Sequence, residues 1–306
     1  MKEIIAMPPF LKKGDKVAVV APSGAVDRAK TMEGLNILKS WGLEPVEGSS
    51  LYKRDGSFAG TDEERLTDLQ FALDDASVKA VFFARGGYGL SRIIDRVSFG
   101  NLIAYPKWLI GYSDISILHY YTGLNTGIPV VHGEMLLNFG QAGESGSSLL
   151  TLKALLFDGR SSCQWDSESL VQGECKGILA GGNLSMLCSV PANELAGYLD
   201  GKILFIEETG EYLYRVDRML HSLRLAGIFN RIRGLVIGDF SPAREGDDDF
   251  AYSLEDIIMN LVAGQKYPVA LKFPAGHTAD NRALCLGAEY FFRVDSISSV
   301  LAISAT

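Results

Sequence analysis

The sequence predicts an α/β fold whose first half is built on a mostly parallel sheet. Short apolar runs, each followed by a Gly- or Pro-containing turn, alternate with segments whose apolar residues recur at helical spacing. This alternation is typical of parallel strands joined by helices. The 306 residues suggest two domains of ordinary size, and 47% hydrophobic with 22% charged residues is the balance of a globular protein with a sizeable core.

The first half of the chain supplies the alternation. Strand and helix follow each other at residues 16–20, 29–41, 45–46, 61–75, 80–84, 90–97 and 108–110, with a further strand at 128–133. A Gly- and Ser-rich loop is predicted at 139–149, and a helix through Leu149, Leu152 and Leu155 follows it. The polar stretch 158–169 is interpreted as a linker, which divides the chain into domains at 1–157 and 170–306.

The second half of the chain is predicted to contain both parallel and antiparallel strands. Strands are predicted at 173–180, 203–206 and 234–240, and helices at 184–187, 215–223 and from residue 253 onward. An acidic loop at 245–249 precedes the last of these helices. The closing segments around 283–303 alternate apolar with polar residues, which predicts antiparallel strands.

Composition and charge exclude several classes of protein. A net charge of −8 disfavours nucleic acid or an anionic membrane as a partner. The first ten residues lack the apolar core and cleavage site of a signal peptide, and no apolar run approaches the roughly 20 residues of a membrane span. The four cysteines show no C-x-x-C spacing, so we expect free thiols and a cytoplasmic protein. Because no metal-ligand spacing occurs, no metal is expected.

A strand that runs directly into a helix places Ser113 at a turn. The apolar run 108–110 leads into Gly-Tyr-Ser-Asp at 111–114, and the following apolar residues suit the buried face of a helix. Ser113 could attack a carbonyl there while the N–H of Asp114 faces the developing oxyanion. The stretch alone leaves open the alternative that Ser113 or Asp114 simply caps the helix.

A second turn, Arg85-Gly86-Gly87-Tyr88-Gly89, follows the strand at 80–84. Its spacing fails the dinucleotide pattern, because Arg92 stands where the third Gly belongs, and no Walker sequence occurs. No cofactor is therefore expected. The carboxyl ends of parallel strands meet at one edge of a sheet, so this turn and that of Ser113 should lie together. Glycines would let the backbone approach a ligand closely, although a plain tight turn remains the alternative.

Acidic and histidine residues supply candidates for a base and its partner. Glu207 lies where a buried strand meets a turn, and a buried carboxylate requires a partner such as a catalytic histidine. The spacing does not separate it from Glu208 or Glu211, although Glu208 should point to the other side of the strand. His277 lies in a Gly-rich loop, where functional residues concentrate. His132, at the end of a strand in the half that carries Ser113, competes with it.

Six segments taken together resemble one family. They follow one another in that family's order over nearly the whole chain, and they are GDKVAVVAPSG at 14–24, ARGGYG at 84–89, IGYSD at 110–114, GGNLSML at 181–187, LFIEETGE with YRVDRML at 204–220, and PAGHTADN at 274–281. This set resembles the LD-carboxypeptidases, a family of serine peptidases that also contains the microcin C immunity peptidases. The resemblance implies a Rossmann-like N-terminal domain, a β-rich α/β C-terminal domain and a homodimer.

The same resemblance assigns roles to residues. It implies Ser113 as nucleophile, His277 as base and Glu207 as the acid that orients it, with the N–H groups of Gly86 and Asp114 as the oxyanion hole. The implied reaction removes the terminal D-Ala from the tetrapeptide of recycled murein, a small peptide substrate in the cytoplasm. Two further residues are candidates for holding the terminal carboxylate, Arg85 and Arg215.

Two other functions remain open at this point. An immunity-type relative would hydrolyse an aminoacyl-nucleotide and needs an aromatic side chain to stack on the base, for which Trp165 is the available residue. A non-catalytic ligand-binding module is the third hypothesis. It is disfavoured because Ser113, Glu207 and His277 all fall at predicted turns.

Overall fold

The protein divides into two compact units in a computed structural model that describes residues 7–167, 169–240 and 250–304. One unit comprises Met1–Ser161 and Ala279–Gly287, and the other comprises Ser162–Thr278 and Ala288–Thr306. The sequence-based division instead assigned the whole of 170–306 to the second domain. The predicted acidic loop at 245–249 lies outside the described residues.

The N-terminal part of the first unit alternates strand and helix. Its elements are β1 (Lys16–Val20), α1 (Arg28–Ser40), β2 (Glu44–Glu47), α2 (Asp62–Asp74), β3 (Val78–Phe83), α3 (Gly100–Ala104), β4 (Trp108–Gly111), α4 (Ser116–Thr126), β5 (Val130–His132), α5 (Phe139–Ala142) and α6 (Ser147–Asp158). The predicted start of α2 is confirmed in detail, because Thr61 and Glu64 form a capping box.

The second unit continues the chain with longer strands. Its first elements are β6 (Ser162–Asp166), β7 (Ser169–Val171), β8 (Gly173–Asn183), α7 (Leu184–Cys188), α8 (Ala192–Leu199), β9 (Ile203–Glu208), α9 (Leu213–Leu225), β10 (Gly234–Phe240), α10 (Leu254–Val262) and β11 (Val269–Ala270). The next strand, β12 (Leu284–Leu286), belongs to the first unit. The last two strands, β13 (Glu289–Val294) and β14 (Ser298–Ile303), belong to the second unit.

Each unit is built on one sheet. In the first, the order is β2-β1-β3-β4-β5-β12, with β1 to β5 parallel and β12 antiparallel at the edge. In the second, β8, β9, β10 and β11 form a parallel centre flanked by antiparallel strands. The predicted α/β class, with a Rossmann-like first half and a β-rich second half, is confirmed. In the first sheet the order reverses between β1 and β3, where ligands of such sheets bind.

Three local predictions were wrong. Residues 90–97 form two short 3-10 turns, Leu90–Arg92 and Ile94–Arg96, rather than one helix, because Ile93 between them leaves the helical conformation, with φ −128° and ψ −11°. The predicted loop at 139–149 is largely helical, because its turn is confined to Gly143–Gly146 between α5 and α6. Five of the twelve residues in the stretch interpreted as a linker, 158–169, form the strand β6, whose alternating pattern buries Cys163 and Trp165.

Candidate active site

Ser113 occupies a strained position at the carboxyl end of β4. Its φ is 62°, which is the left-handed region that costs a residue with a side chain about 1–2 kcal/mol. The residue begins the 3-10 turn Ser113–Ile115, which leads directly into α4, and its side chain is half-buried. Strain of this kind persists only where the surroundings fix it, and it concentrates at functional sites. The predicted strand–turn–helix arrangement is therefore present.

Gly86 approaches Ser113 so closely that a side chain would not fit without movement. A Cβ added to Gly86 would lie 3.0 Å from Ser113 Cβ, 3.2 Å from its Oγ and 3.5 Å from the backbone nitrogen of Asp114. The backbone of Gly86 and the amide of Asp114 thus border the same serine. Gly24 holds the Gly86 peptide in place by donating its N–H to the Gly86 carbonyl at 3.0 Å.

His277 and Glu207 form a hydrogen-bonded pair in the second unit. The His277 Nδ1 lies 2.8 Å from Glu207 Oε2, with the carboxylate fully buried and the imidazole 21% exposed. Glu207 is the fifth residue of β9, and His277 lies in the loop after β11. That loop is attached to β10, since the Asp239 N–H donates to the Ala275 carbonyl at 2.8 Å.

Two glycines make room for this pair. A Cβ on Gly276, whose φ is +127°, would lie 3.0 Å from Glu207 Cβ and 3.1 Å from its Oε2. A Cβ on Gly238 would lie 2.6 Å from the Ala275 carbonyl oxygen and 3.2 Å from Glu207 Cβ. The carboxylate is therefore walled by backbone on two sides. Any larger residue at either position would displace the loop that carries His277.

Burial and charge act in opposite directions on the two groups. Burial raises the pKa of Glu207, against the hydrogen bond and charge of His277. Burial lowers the pKa of His277, but the hydrogen bond and charge of Glu207, with the charges of Glu208 and Asp239, outweigh it and leave that pKa above its ordinary value. The pair therefore stabilises an imidazolium, which is the charge that a general base acquires.

The neighbouring acid has different partners. Glu208 accepts hydrogen bonds from the Ser185 N–H and Oγ at 2.7 and 2.6 Å, from Asn183 Nδ2 at 3.1 Å and from the Thr209 N–H at 2.9 Å. It thereby holds the first turn of α7. Glu211 pairs with Arg215 at 3.4 Å near the surface. Of the three acids that the sequence left undecided, Glu207 is the one hydrogen-bonded to His277.

The other histidines occupy different surroundings. His132 is fully buried in β5, with its ring 5.7 Å from that of Tyr112. His119 is buried in α4, and burial lowers its pKa to about 3. His221 lies on α9, half-exposed, 3.4 Å from Asp217. The predicted competitor, His132, is thus a residue of the sheet interior.

The two arginines considered for the terminal carboxylate lie in different units. Arg85 is exposed and donates through Nη1 to the Ala25 carbonyl at 2.5 Å, in the loop that follows β1. Arg215 is exposed on the first turn of α9, where its guanidinium lies 5.4 Å from the centre of the Tyr212 ring. Each is exposed within its own unit. Their assignment to substrate stays a prediction.

Trp165 is a core residue and not a surface aromatic. It is 8% exposed on β6, its Nε1 donates to the Leu271 carbonyl at 2.9 Å, and its ring packs edge-on against Phe273 at 4.9 Å. Its placement in a polar loop was therefore wrong. Buried on both sides, this ring is not available to stack on a nucleobase, which removes the sequence feature offered for the immunity-type alternative.

The structure also adds contacts of the Asp114 side chain, and residues around the site, that the sequence analysis did not select. The Asp114 carboxylate accepts hydrogen bonds from Ser23 Oγ at 2.6 Å and the Leu90 N–H at 2.9 Å, and burial raises its pKa despite them. The segment GDKVAVVAPSG at 14–24 contains Ser23, but nothing local in it indicates a partner 91 residues away. Gly238 and Gly276 were likewise visible only as strand and loop glycines.

Within the described part of the chain, no three His, Cys, Asp or Glu side chains gather as a metal-binding group. No helix among the described residues is long and apolar enough to cross a bilayer.

Comparison with known proteins identifies the family. Residues 17–133 match the N-terminal domain of LD-carboxypeptidases, and residues 176–291 match the C-terminal domain. A probable murein peptide carboxypeptidase of Bacillus subtilis is 34% identical over 286 residues, which cover 92% of this chain and 90% of the relative. The solved muramoyltetrapeptide carboxypeptidase of Oxalobacter formigenes has a TM-score of 0.84 at 30% identity and covers 95% of this chain and 99% of its own.

A more distant relative is the microcin C7 self-immunity protein of Escherichia coli, 23% identical over 312 residues that cover 90% of this chain and 89% of that protein. The two domain matches together span well over half of the chain. The chain therefore belongs to the LD-carboxypeptidase family, and it is a serine carboxypeptidase. The hypothesis of a non-catalytic binding module is set aside.

Proposed function

We propose that this enzyme removes the terminal D-Ala from murein tetrapeptide by cleaving the bond between the L-centre of a diamino acid and the D-residue. The observation that carries the proposal is Ser113, held at a φ of 62° beside the backbone of Gly86 and the amide of Asp114. In this proposal the N–H groups of Gly86 and Asp114 are the two backbone donors to the developing oxyanion. The murein carboxypeptidases among its relatives support the choice of substrate.

The proposed reaction proceeds through an acyl-enzyme. Ser113 Oγ attacks the carbonyl carbon of the diamino acid while His277 takes the hydroxyl proton through Nε2, because Nδ1 is engaged by Glu207. The N–H groups of Gly86 and Asp114 bind the oxyanion. The C–N bond then breaks as His277 returns the proton to the amine of D-Ala. Water, deprotonated in turn by His277, hydrolyses the ester and regenerates the serine.

Glu207 has two tasks in this scheme. Its hydrogen bond fixes the tautomer of His277, with the proton on Nδ1 and the lone pair on Nε2. Its charge stabilises the imidazolium that forms when the serine is deprotonated. Because the carboxylate is fully buried and its walls are backbone, the orientation of the imidazole is well defined. The scheme requires His277 and Ser113 to act on the same substrate molecule.

The terminal carboxylate of the substrate requires a cationic partner. Charge-assisted contacts with an arginine are stronger than neutral ones and fix direction. Arg85 adjoins Gly86, so it is the residue nearest in sequence to the proposed oxyanion hole, and Arg215 is the second candidate. We expect Arg85→Lys to raise KM for tetrapeptide more than it lowers kcat. A KM unchanged in this variant and raised in Arg215→Lys would reverse the assignment.

We further propose that the enzyme works in the cytoplasm as a homodimer. The substrate is a product of murein recycling, which presents tetrapeptide inside the cell. Sedimentation of the purified protein tests the oligomeric state, and a mass of one chain would contradict it. Fractionation of cells tests the location.

Product analysis tests the proposed bond. Tetrapeptide should lose one D-Ala, whereas pentapeptide, whose last bond joins two D-residues, should stay whole. The control is the matched peptide that ends in L-Ala. Relative to D-Ala, the L-residue exchanges the methyl and hydrogen positions and so misplaces the terminal carboxylate. Comparable rates on the two epimers would refute the proposed specificity.

The second candidate is hydrolysis of an aminoacyl-nucleotide, as the relation to the microcin C7 self-immunity protein suggests. The burial of Trp165 weighs against it, since that ring is packed on Phe273. Incubation with an aminoacyl sulfamoyl nucleoside alongside tetrapeptide separates the two. A higher kcat/KM for the nucleoside would favour the immunity-type function.

A further inference from the structure

The Asp114 side chain joins three loops at the edge of the first sheet. It is 1% exposed, and its Oδ2 accepts from Ser23 Oγ at 2.6 Å and from the Leu90 N–H at 2.9 Å. Ser23 lies in the loop after β1, and Leu90 ends the glycine-rich loop after β3. Asp114 itself lies in the turn after β4. One carboxylate oxygen therefore connects the loops after β1, β3 and β4.

A second buried group connects two of the same loops. Arg65 on α2 is fully buried and donates through Nη1 to the Gly89 carbonyl at 3.0 Å and also to the Pro22 carbonyl. The Gly24 N–H donates to the Gly86 carbonyl between them. The loops after β1 and β3 are thus fixed to each other at Gly86 and again at Gly89.

This arrangement bears on the geometry of the oxyanion hole. The backbone of Asp114 supplies one proposed donor, while its side chain holds the loop that supplies the other, Gly86. A shift of that loop changes the distance between the two amides. Oxyanion stabilisation depends on donors placed about 2.7–3.1 Å from the oxyanion, so a small displacement costs rate and leaves ground-state binding nearly intact.

We propose that the buried Asp114 carboxylate and the Ser23 hydroxyl are positioning groups that set the spacing of the Gly86 and Asp114 amides around the Ser113 oxyanion. The inference rests on the proposed function, in which those two amides bind the oxyanion. Neither side chain touches the substrate, so their effect should appear in kcat. A merely structural role would instead appear in the free energy of unfolding.

The chain offers a matched control in Ser50. Its Oγ donates to Asp68 Oδ2 at 2.6 Å, and like Ser23 it is fully buried in the first unit. This second hydroxyl–carboxylate pair ties the loop after β2 to α2, and β2 lies three strands away in the sheet from β4, which precedes Ser113. Ser50→Ala and Ser23→Ala therefore delete the same kind of hydrogen bond at the same distance.

Kinetics on tetrapeptide provide the first test. Ser23→Ala should lower kcat by about tenfold or more while KM stays within about twofold. Ser50→Ala should leave kcat within about twofold of the wild-type value. Its thermal unfolding midpoint should nevertheless fall by about as much as that of Ser23→Ala. Equal kcat in the two variants, or a loss in Ser23→Ala that lies in KM alone, would overturn the proposal.

Conservative replacement provides the second test. Asp114→Asn keeps an oxygen that can accept from Ser23 and Leu90, whereas Asp114→Ala keeps none. We expect kcat to decrease in the order wild type, Asp114→Asn, Asp114→Ala. Equal losses of kcat in folded Asp114→Asn and Asp114→Ala variants would contradict the positioning role of the carboxylate. If the Ala variant fails to fold, the comparison of Ser23→Ala with Ser50→Ala still decides the question.

Labelling with a fluorophosphonate separates this inference from the choice of substrate. Ser113 Oγ displaces fluoride from phosphorus, and the phosphoryl oxygen occupies the oxyanion hole whatever peptide the enzyme prefers. If wild type labels but does not cleave tetrapeptide, the proposed function fails and the labelling rates still test the positioning. A labelling rate in Ser23→Ala at least about tenfold below that in Ser50→Ala supports the positioning role of Ser23 and Asp114. Equal labelling rates in the two variants refute it.

Discussion

At the scale of single residues, one serine has a strained backbone conformation. Ser113 has a φ of 62°, and Lys272 is the other non-glycine residue with positive φ among those described. A cap residue does not need this conformation, because N-caps adopt extended angles. A strained serine between a strand and a helix is typical of a nucleophile, which supports the proposed role of Ser113.

Two replacements of Ser113 separate its chemistry from its strain. Ser113→Ala and Ser113→Gly should both abolish hydrolysis, since each removes the attacking oxygen. Gly tolerates the left-handed region, so Ser113→Gly should be the more stable variant. Its free energy of unfolding should exceed that of Ser113→Ala by about 1 kcal/mol. Denaturant titration measures the difference. Turnover by a folded Ser113→Ala protein would contradict the mechanism.

Gly86 should be intolerant of even one methyl group. A Cβ there would lie 3.0 Å from Ser113 Cβ, and the serine turn is too constrained to move away. We expect Gly86→Ala to lower kcat/KM by on the order of 100-fold with a small loss of stability. The control is Gly100→Ala, where the nearest atom to the added Cβ is Ser98 Oγ at 3.9 Å. Near-normal turnover by Gly86→Ala would place the oxyanion donors elsewhere.

The pair of Glu207 and His277 predicts the pH dependence of kcat/KM. His277 must be neutral to accept the serine proton, so activity falls as the pH drops through its pKa. The hydrogen bond and charge of Glu207 raise that pKa, which places the acid limb above the pH 6.5 or so of an ordinary histidine.

Glu207→Gln removes the charge that raises this pKa, so the limb should move to lower pH. The variant should also lose on the order of 1,000- to 10,000-fold in kcat, because the tautomer and the imidazolium lose their partner. A rate profile from pH 5 to 9 measures both. A limb that stays in place, or moves up, would show that another group titrates.

At the scale of elements, β9 ends in two acids with separate tasks. Glu208 accepts from Ser185 and Asn183 at the start of α7, whereas Glu207 accepts from His277. Replacing Glu208 by Ala leaves buried donors without an acceptor. We expect Glu208→Ala to lower the free energy of unfolding by about 2 kcal/mol and kcat by less than about tenfold. A kcat loss equal to that of Glu207→Gln would mean that the two acids act as one unit.

The elements also show what a sequence can and cannot predict. The start of α2 was predicted because Thr61 and Glu64 form a signal within four residues, and β4 because its apolar run ends at a glycine. Trp165 was misplaced because a strand with only two buried residues gives too weak an alternation to see. The Ser23–Asp114 contact joins residues 91 apart, and no local pattern carries such information.

At the scale of the whole molecule, the residues of the proposed triad come from both units. Ser113 belongs to the first, while Glu207 and His277 belong to the second. Fragments 1–161 and 162–306 should therefore each lack activity on tetrapeptide. Mixing them and assaying release of D-Ala tests whether the activity is restored. Turnover by 1–161 alone would rule out the triad.

The edge strand β12 has a further consequence for how the protein is made. Leu284 pairs with His132, about 150 residues earlier in the chain, so the first sheet gains its last strand only after about 150 further residues have been synthesised. At about 5–20 residues per second, the edge of β5 stays without its partner for roughly 8 to 30 seconds. During that time the nascent chain presents an open β edge to any other chain in the same condition. Slow translation through the second unit should therefore lower the yield of native enzyme more than slow translation through the first.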